Sequence, residues 1–239
     1  MKNYFVFVFL AYCSILFGQT ESYQITYNSN LNDAGNPKGG TEYIRGELFT
    51  NGENSIYIEH IKDTIVSLPD GDVFESKANN FPKPYVKDLK SKSIRYNARH
   101  FKGAIIDDKS IDFNWKLQDE TLDILGYKCL SAKCTFRGRT FIAYYLPDLP
   151  INDGPFKFMG LPGIILKVVS EDKAVNIEAV SITMGVTIPK DPLIEKKEII
   201  SYQEAIKKFK AFVETVEQNA ANEGDDGFKI LSHYIECYN

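Results

Sequence analysis

The chain has 239 residues, 44% of them hydrophobic, and a formal net charge of −4. That length supports one good-sized core and does not demand two domains. A mildly acidic chain with no basic stripe argues against nucleic acid as a partner.

Residues 1–18 open with Met1-Lys2-Asn3 and continue as an apolar run from Tyr4 to Phe17. One positive charge, a short apolar stretch and a small residue at Gly18 read as a secretory signal peptide, too short to span a bilayer. Cys13 follows Leu10-Ala11-Tyr12, a poor lipid-attachment signal because Tyr12 stands where a small residue is needed. No later apolar run reaches spanning length, so no transmembrane segment is expected after processing. Residues 19–239 are expected to form a single β-rich domain.

Ser22 to Tyr27 alternates in strand fashion. Glu42 to Phe49 and Ser55 to Ile61 flank Asn51-Gly52 and read as a hairpin. Residues 63–92 give weak signals: Pro69-Asp70-Gly71 is a turn, and Pro82 and Pro84 argue against helix and central strand alike. Ser93 to Phe101, Ile111 to Leu117, Tyr127 to Phe136 and Arg139 to Leu146 read as strands, with Arg137-Gly138 between the last two as a turn, though a bulge would read the same. Ala174 to Thr183 and Phe228 to Tyr238 add two more. Ser201-Tyr-Gln-Glu204 is a capping box, and Tyr202, Ala205, Ile206, Phe209, Phe212, Val213 and Val216 follow helical spacing. The fold expected is mainly antiparallel β, a curved sheet or partial barrel of about eight to ten strands. One C-terminal amphipathic helix, spanning about 201–218, packs on it.

The densest signal is Asp153 to Val169. Asp153 can cap a short turn with Pro155 early in it, and Gly160 can end that turn in a left-handed conformation. Leu161-Pro162-Gly163 reads as a structural type II turn, with Gly163 at the positive-φ position. Ile164 to Val169 then reads as a strand covered on both faces.

These residues also carry a resemblance. Gly154-Pro-Phe-Lys-Phe158 and Gly160-Leu-Pro-Gly-Ile-Ile-Leu166 resemble the motif that names the GLPGLI family of secreted bacterial proteins. Leu125-Gly-Tyr-Lys-Cys129, Gly138-Arg139, Ala143-Tyr-Tyr145 and Ile151 fit it as well. The family often has Trp where Tyr144 stands and Leu where Ile164 stands. The resemblance is dense over residues 112–170. It implies an envelope location and no assigned activity, cofactor or catalytic residue.

Cys129 and Cys134 are five residues apart in a strand reading. They face opposite sides at about 16 Å, beyond disulfide reach. In an oxidising compartment Cys237 is then the partner for one of them; Cys129, the position matching the family motif, is favoured. No redox motif accompanies these thiols.

His60, His100 and His233 have no second ligand at metal-site spacing, and neither a Gly-x-Ser-x-Gly elbow nor a phosphate-binding glycine loop occurs. No catalytic, metal or cofactor residue is therefore nominated. Asp148 and Asp153 lie near Arg137, Arg139 and Lys157 in sequence; acid–base work is weighed there against plain exposed ion pairs. Trp115, Tyr144, Tyr145, Phe156 and Phe158 are the candidate ligand-binding aromatics, with core packing as the alternative. Three functional classes follow. The first is a non-enzymatic binding or carrier module for an apolar or amphipathic ligand. The second is an accessory protein of an outer-membrane complex, and the third, disfavoured for want of a nucleophile–base pair, is a hydrolase.

Overall fold

The computed structural model describes residues 21–32, 41–61, 64–67, 73–76, 83–97, 104–109, 111–193 and 198–222. The expected signal peptide, the turn at Pro69-Asp70-Gly71, His100, His233, Cys237 and the strand expected at 228–238 lie outside these residues.

The strands are β1 (Tyr23–Asn32), β2 (Thr41–Thr50), β3 (Asn54–Ile61), β4 (Thr64–Ser67), β5 (Val73–Ser76), β6 (Lys83–Asp88), β7 (Ser93–Asn97) and β8 (Ala104–Asp108). They continue as β9 (Lys116–Ile124), β10 (Tyr127–Phe136), β11 (Arg139–Leu146), β12 (Ile164–Ser170), β13 (Val175–Met184) and β14 (Glu198–Ser201), followed by helix α1 (Tyr202–Asn222). β4 and β5 form a two-stranded ribbon. The other twelve make one curved open sheet in the order β14-β8-β7-β6-β3-β2-β1-β13-β12-β11-β10-β9. Every described pairing in it is antiparallel except β14 with β8.

Strand period two decides which residues share the core face. One row runs across eight strands: Ile182, Ile25, Leu48, Tyr57, Tyr85, Tyr96, Ile106 and Ile200. All but Ile182 are buried. The row on the opposite face is polar: Ser131, Tyr144, Lys167, Glu178, Asn28, Arg45 and His60.

Two expectations need correction. Residues 83–88 form a strand in the sheet interior despite Pro84. The ladder to β7 begins only at Tyr85, so the missing N–H of Pro84 has no partner to deprive on that side. The strand expected at 111–117 starts later and runs to Ile124, with Ile111 and Phe113 packed into the core ahead of it. The four-residue β14 carries too short a pattern to be read alone. The hairpin turns are as expected at Asn51-Gly52 and Arg137-Gly138, where Gly52 and Gly138 have φ of 84° and 83°. Leu125 and Gly126 take the same left-handed pair of conformations as Arg137 and Gly138, which fits a type I′ hairpin turn.

Helix α1 begins where the capping box places it. The Glu204 N–H donates to Ser201 Oγ at 3.1 Å, while the Glu204 carboxylate pairs forward with Lys208 at 3.0 Å. The helix packs on β14 and β8 through Ala205 and Phe209, both buried. Phe209→Ala should therefore cost about 3–5 kcal/mol, against about 1 kcal/mol for Ser201→Ala. Urea titrations of the two variants check this; equal small losses would mean an undocked helix.

Candidate functional site

The connection from β11 to β12, residues 147–163, crosses the core face of the sheet. Its backbone folds on itself. The Ile151 N–H donates to Leu149 O, Asp153 N–H to Ile151 O and Gly160 N–H to Asn152 O, at 2.7, 2.8 and 3.0 Å. The Ile165 N–H donates back to Asp153 O at 2.8 Å. Gly160 has φ of 92°, the left-handed conformation expected of it. Phe156 has φ of 52° while 2% exposed, an uncommon conformation for a bulky residue, held by the packing around it.

Gly163 departs from expectation: its φ lies outside the left-handed region, so the type II assignment for Leu161-Pro162-Gly163 fails. Its N–H donates to Leu161 O at 2.8 Å, closing a three-residue turn centred on Pro162. A Cβ on Gly163 would sit 2.7 Å from the Leu146 carbonyl carbon and closer still to its oxygen. The glycine is there to let the two ends of the loop touch.

The loop brings charge into the core. Lys87 from β6 and Asp153 from the loop have fully buried side chains 2.6 Å apart. Lys87 also donates to Gly154 O at 2.5 Å, and Gly154 N–H to Asp153 Oδ1 at 2.8 Å. Burial pushes the Lys87 amine below its ordinary value, with Asp153 pulling it back up. A second group forms around Asp108 of β8: Arg137 Nη2 lies 2.8 Å and Lys157 Nζ 3.8 Å from its carboxylate. Arg137 also lies over the Tyr202 ring at 3.4 Å, and Lys157 over Tyr96 at 3.9 Å. Asp153 and Lys157, weighed above as parts of exposed pairs, are buried instead, because the loop lies inside the curve of the sheet. Sequence reasoning missed Lys87 and Asp108. Their strand parity, shared with Tyr85 and Ile106 two residues before them, was the available signal.

The candidate aromatics separate by face. Phe158 packs on Phe141 at 5.0 Å and Phe113 at 5.4 Å between ring centroids. Phe156 meets Tyr85 at 4.8 Å. Trp115 stacks on Phe113 at 5.3 Å, and its Nε1–H donates to Met159 O at 2.9 Å. Tyr145 faces the same side and is buried. Tyr144 points to the other face, its hydroxyl donating to Glu120 Oε1 at 3.0 Å. Trp115, Phe156 and Phe158 thus join one cluster in which ring meets ring, and Tyr144 lies apart from it.

Cys129 and Cys134 are buried free thiols whose cross-strand partners, Leu122 and Phe141, put them on opposite faces as expected. Burial pushes them up to about 11 and about 12. Cys237, the expected partner of Cys129, lies outside the described residues. His60 is exposed on the outer face, 3.1 Å from Glu47. Among the described residues no group of three or more His, Cys, Asp or Glu is placed to hold a metal ion, and no helix is long and apolar enough to cross a membrane.

Tyr27 lies within electrostatic reach of Asp153, and Tyr57 packs edge-on against Tyr27 at 6.2 Å between ring centroids. The Tyr27 hydroxyl donates to Ile165 O at 2.8 Å. Burial holds both phenols well above their ordinary value of 10, with Asp153 adding to the effect at Tyr27 and Glu59 at Tyr57. Above pH 10 the unfolded chain releases these protons and the folded chain keeps them. The tyrosine contribution is therefore complete below pH 10 and shrinks as pH rises past it. Urea midpoints should fall between pH 9 and 11, and Tyr27→Phe should flatten the fall (about pH 10 being the ordinary tyrosine value).

A family model described as a protein of unknown function (Porph_ging) matches residues 133–167, from β10 through the crossing loop into β12. No curated protein matches the chain. Among solved structures, PNGF-II in two crystal forms is similar at TM-score 0.51 and 20% identity, over 79% of this chain and 33% of PNGF-II. MucB in complex with MucA(peri) is similar at TM-score 0.32 and 13% identity, over 75% of this chain and 57% of MucB. The chain spans about a third of PNGF-II, and what the two share is the fold.

Proposed function

We propose that the chain is a non-enzymatic module of the bacterial envelope, exported by residues 1–18 and of the GLPGLI type, that works by binding a protein partner at its surface. The observation that carries this reading is the occupied core face. The concavity that a carrier would use for an apolar ligand holds the chain's own loop, with Phe156 and Phe158 seated among Tyr85, Phe113 and Phe141. Its charges are matched internally, Lys87 by Asp153 and Asp108 by Arg137 and Lys157. A filled interior favours the accessory reading over the carrier reading, with the candidate aromatics acting as core.

Native mass spectrometry of the mature protein, purified from its own envelope, tests this. The expected result is the bare chain mass, with or without a protein companion. A reproducible extra mass of small-molecule size would restore the carrier reading and sink this one.

A further inference from the structure

The twelve-stranded sheet ends differently on its two sides. Beyond β14 the chain turns directly into α1, which packs on β14 and β8. Beyond β9 no strand is paired among the described residues. The two-residue turn at Leu125-Gly126 makes Ile124 and Tyr127 a hydrogen-bonded pair, so the backbone N–H and C=O of Thr121 and Asp123 point away from β10. Nearer the other end a shift of register bulges Asp119 and Glu120, and Ser131 Oγ donates to Glu120 O at 2.6 Å. The Thr121–Ile124 ladder is regular.

Two further features mark this edge. The apolar core face runs out into solvent here. Tyr145 is buried, its cross-strand neighbour Leu130 is 36% exposed, and Leu117 on the same face is 63% exposed. Leu125 and Tyr127 at the hairpin tip are exposed as well. The strand is also acidic, with Asp119, Glu120 and Asp123 against Lys116. Cross-strand neighbours on one face lie close enough for opposite charges to favour pairing and like charges to oppose it.

We propose that β9 is a docking edge for an extended segment of a partner protein in which lysine or arginine alternates with apolar residues, added as a thirteenth strand to the sheet. Backbone groups of Thr121 and Asp123 supply the ladder. Asp119 and Asp123, at the same strand parity as Leu117, select positive charge at every second position, with Leu117 against the lysine stems. Leu122, half-buried on the opposite face, receives the apolar side chains. The acidic edge disfavours an anionic lipid surface. The site rests on the surface-binding reading above.

A decapeptide alternating lysine and valine serves as the probe, one alternating glutamate and valine as its control, and the folded mature chain as the receptor. The expected result is that the lysine peptide slows exchange of the Thr121 and Asp123 amides by about tenfold or more, that the glutamate peptide does not, and that salt weakens the effect. Asp119→Lys/Asp123→Lys, with its urea midpoint confirming that it folds, should lose it. Equal response to both peptides, protection away from β9 or no protection overturns the proposal; the charges and bulge then only guard the edge against aggregation. Slowing of the same amides with rising protein concentration and no peptide makes the occupant a second copy, which also overturns it. Absence of peptide binding together with a bare mass in native spectrometry sinks this site alone. A bound small molecule sinks the function reading with it.

Discussion

Gly163→Ala should destabilise the protein by about 1–3 kcal/mol through overpacking, and Gly163→Asn should cost at least as much. The added Cβ meets the Leu146 carbonyl carbon at 2.7 Å and Pro147 Cα at 3.0 Å, and backbone at the neck of a buried loop cannot swing aside as a side-chain end can. Asparagine brings relief only where φ is positive, and at Gly163 it is not. Gly160, three residues earlier, supplies the contrast. Its φ is 92° and nothing lies within 4 Å of an added Cβ. Gly160→Ala should cost about 1 kcal/mol through backbone strain, and Gly160→Asn less. Urea midpoints for the four variants test the ordering. If Asn is the milder replacement at Gly163 too, the close-approach account is wrong and the left-handed turn returns.

That contrast shows where the sequence could be read and where it could not. Gly160 follows a Pro-initiated turn, and a local rule identified its left-handed conformation. Gly163 obeys an equally good local rule, Pro at i+1 and Gly at i+2, and breaks it, because the deciding neighbour is Leu146, seventeen residues back across the loop neck. The curved antiparallel sheet and the capped helix were legible, since strand alternation and a capping box are short-range patterns. β9 was not. It is exposed along nearly all its length, so it has no apolar alternation to announce it. Lys87 and Asp153 are 66 residues apart, and nothing near either one signals the other. The aromatic residues were found as a set but not sorted by face. Tyr144 and Tyr145 are neighbours in a strand and so point opposite ways, a consequence of period two that only the register of β11 turns into a location.

A loss as large as that at Phe209 is expected at the Lys87–Asp153 pair. With both side chains at 0% exposure, removal of one partner strands the other as an uncompensated charge. Lys87→Met should cost about 3–5 kcal/mol on that ground. Asp153→Asn is nearly isosteric, and its side-chain oxygen can still accept the Gly154 N–H that Asp153 Oδ1 accepts; it should nevertheless cost a similar amount, because Lys87 keeps a charge with no counter-ion. The double variant Lys87→Met/Asp153→Asn removes both charges and keeps the loop hydrogen bond. It should recover about 0.5–3 kcal/mol relative to the sum of the single losses, the range expected for residues in direct contact. What it does not recover measures how far the pair, with the Lys87 donation to Gly154 O, tethers the loop to β6. A cycle of urea denaturations on the four proteins gives the coupling directly. Additive losses would mean that the two charges do not depend on each other, and the loop would then be held in the curve of the sheet by Phe156 and Phe158 packing alone. Strong coupling, with the double variant close to the parent, would make the pair a device for fixing which way the loop lies rather than a source of stability.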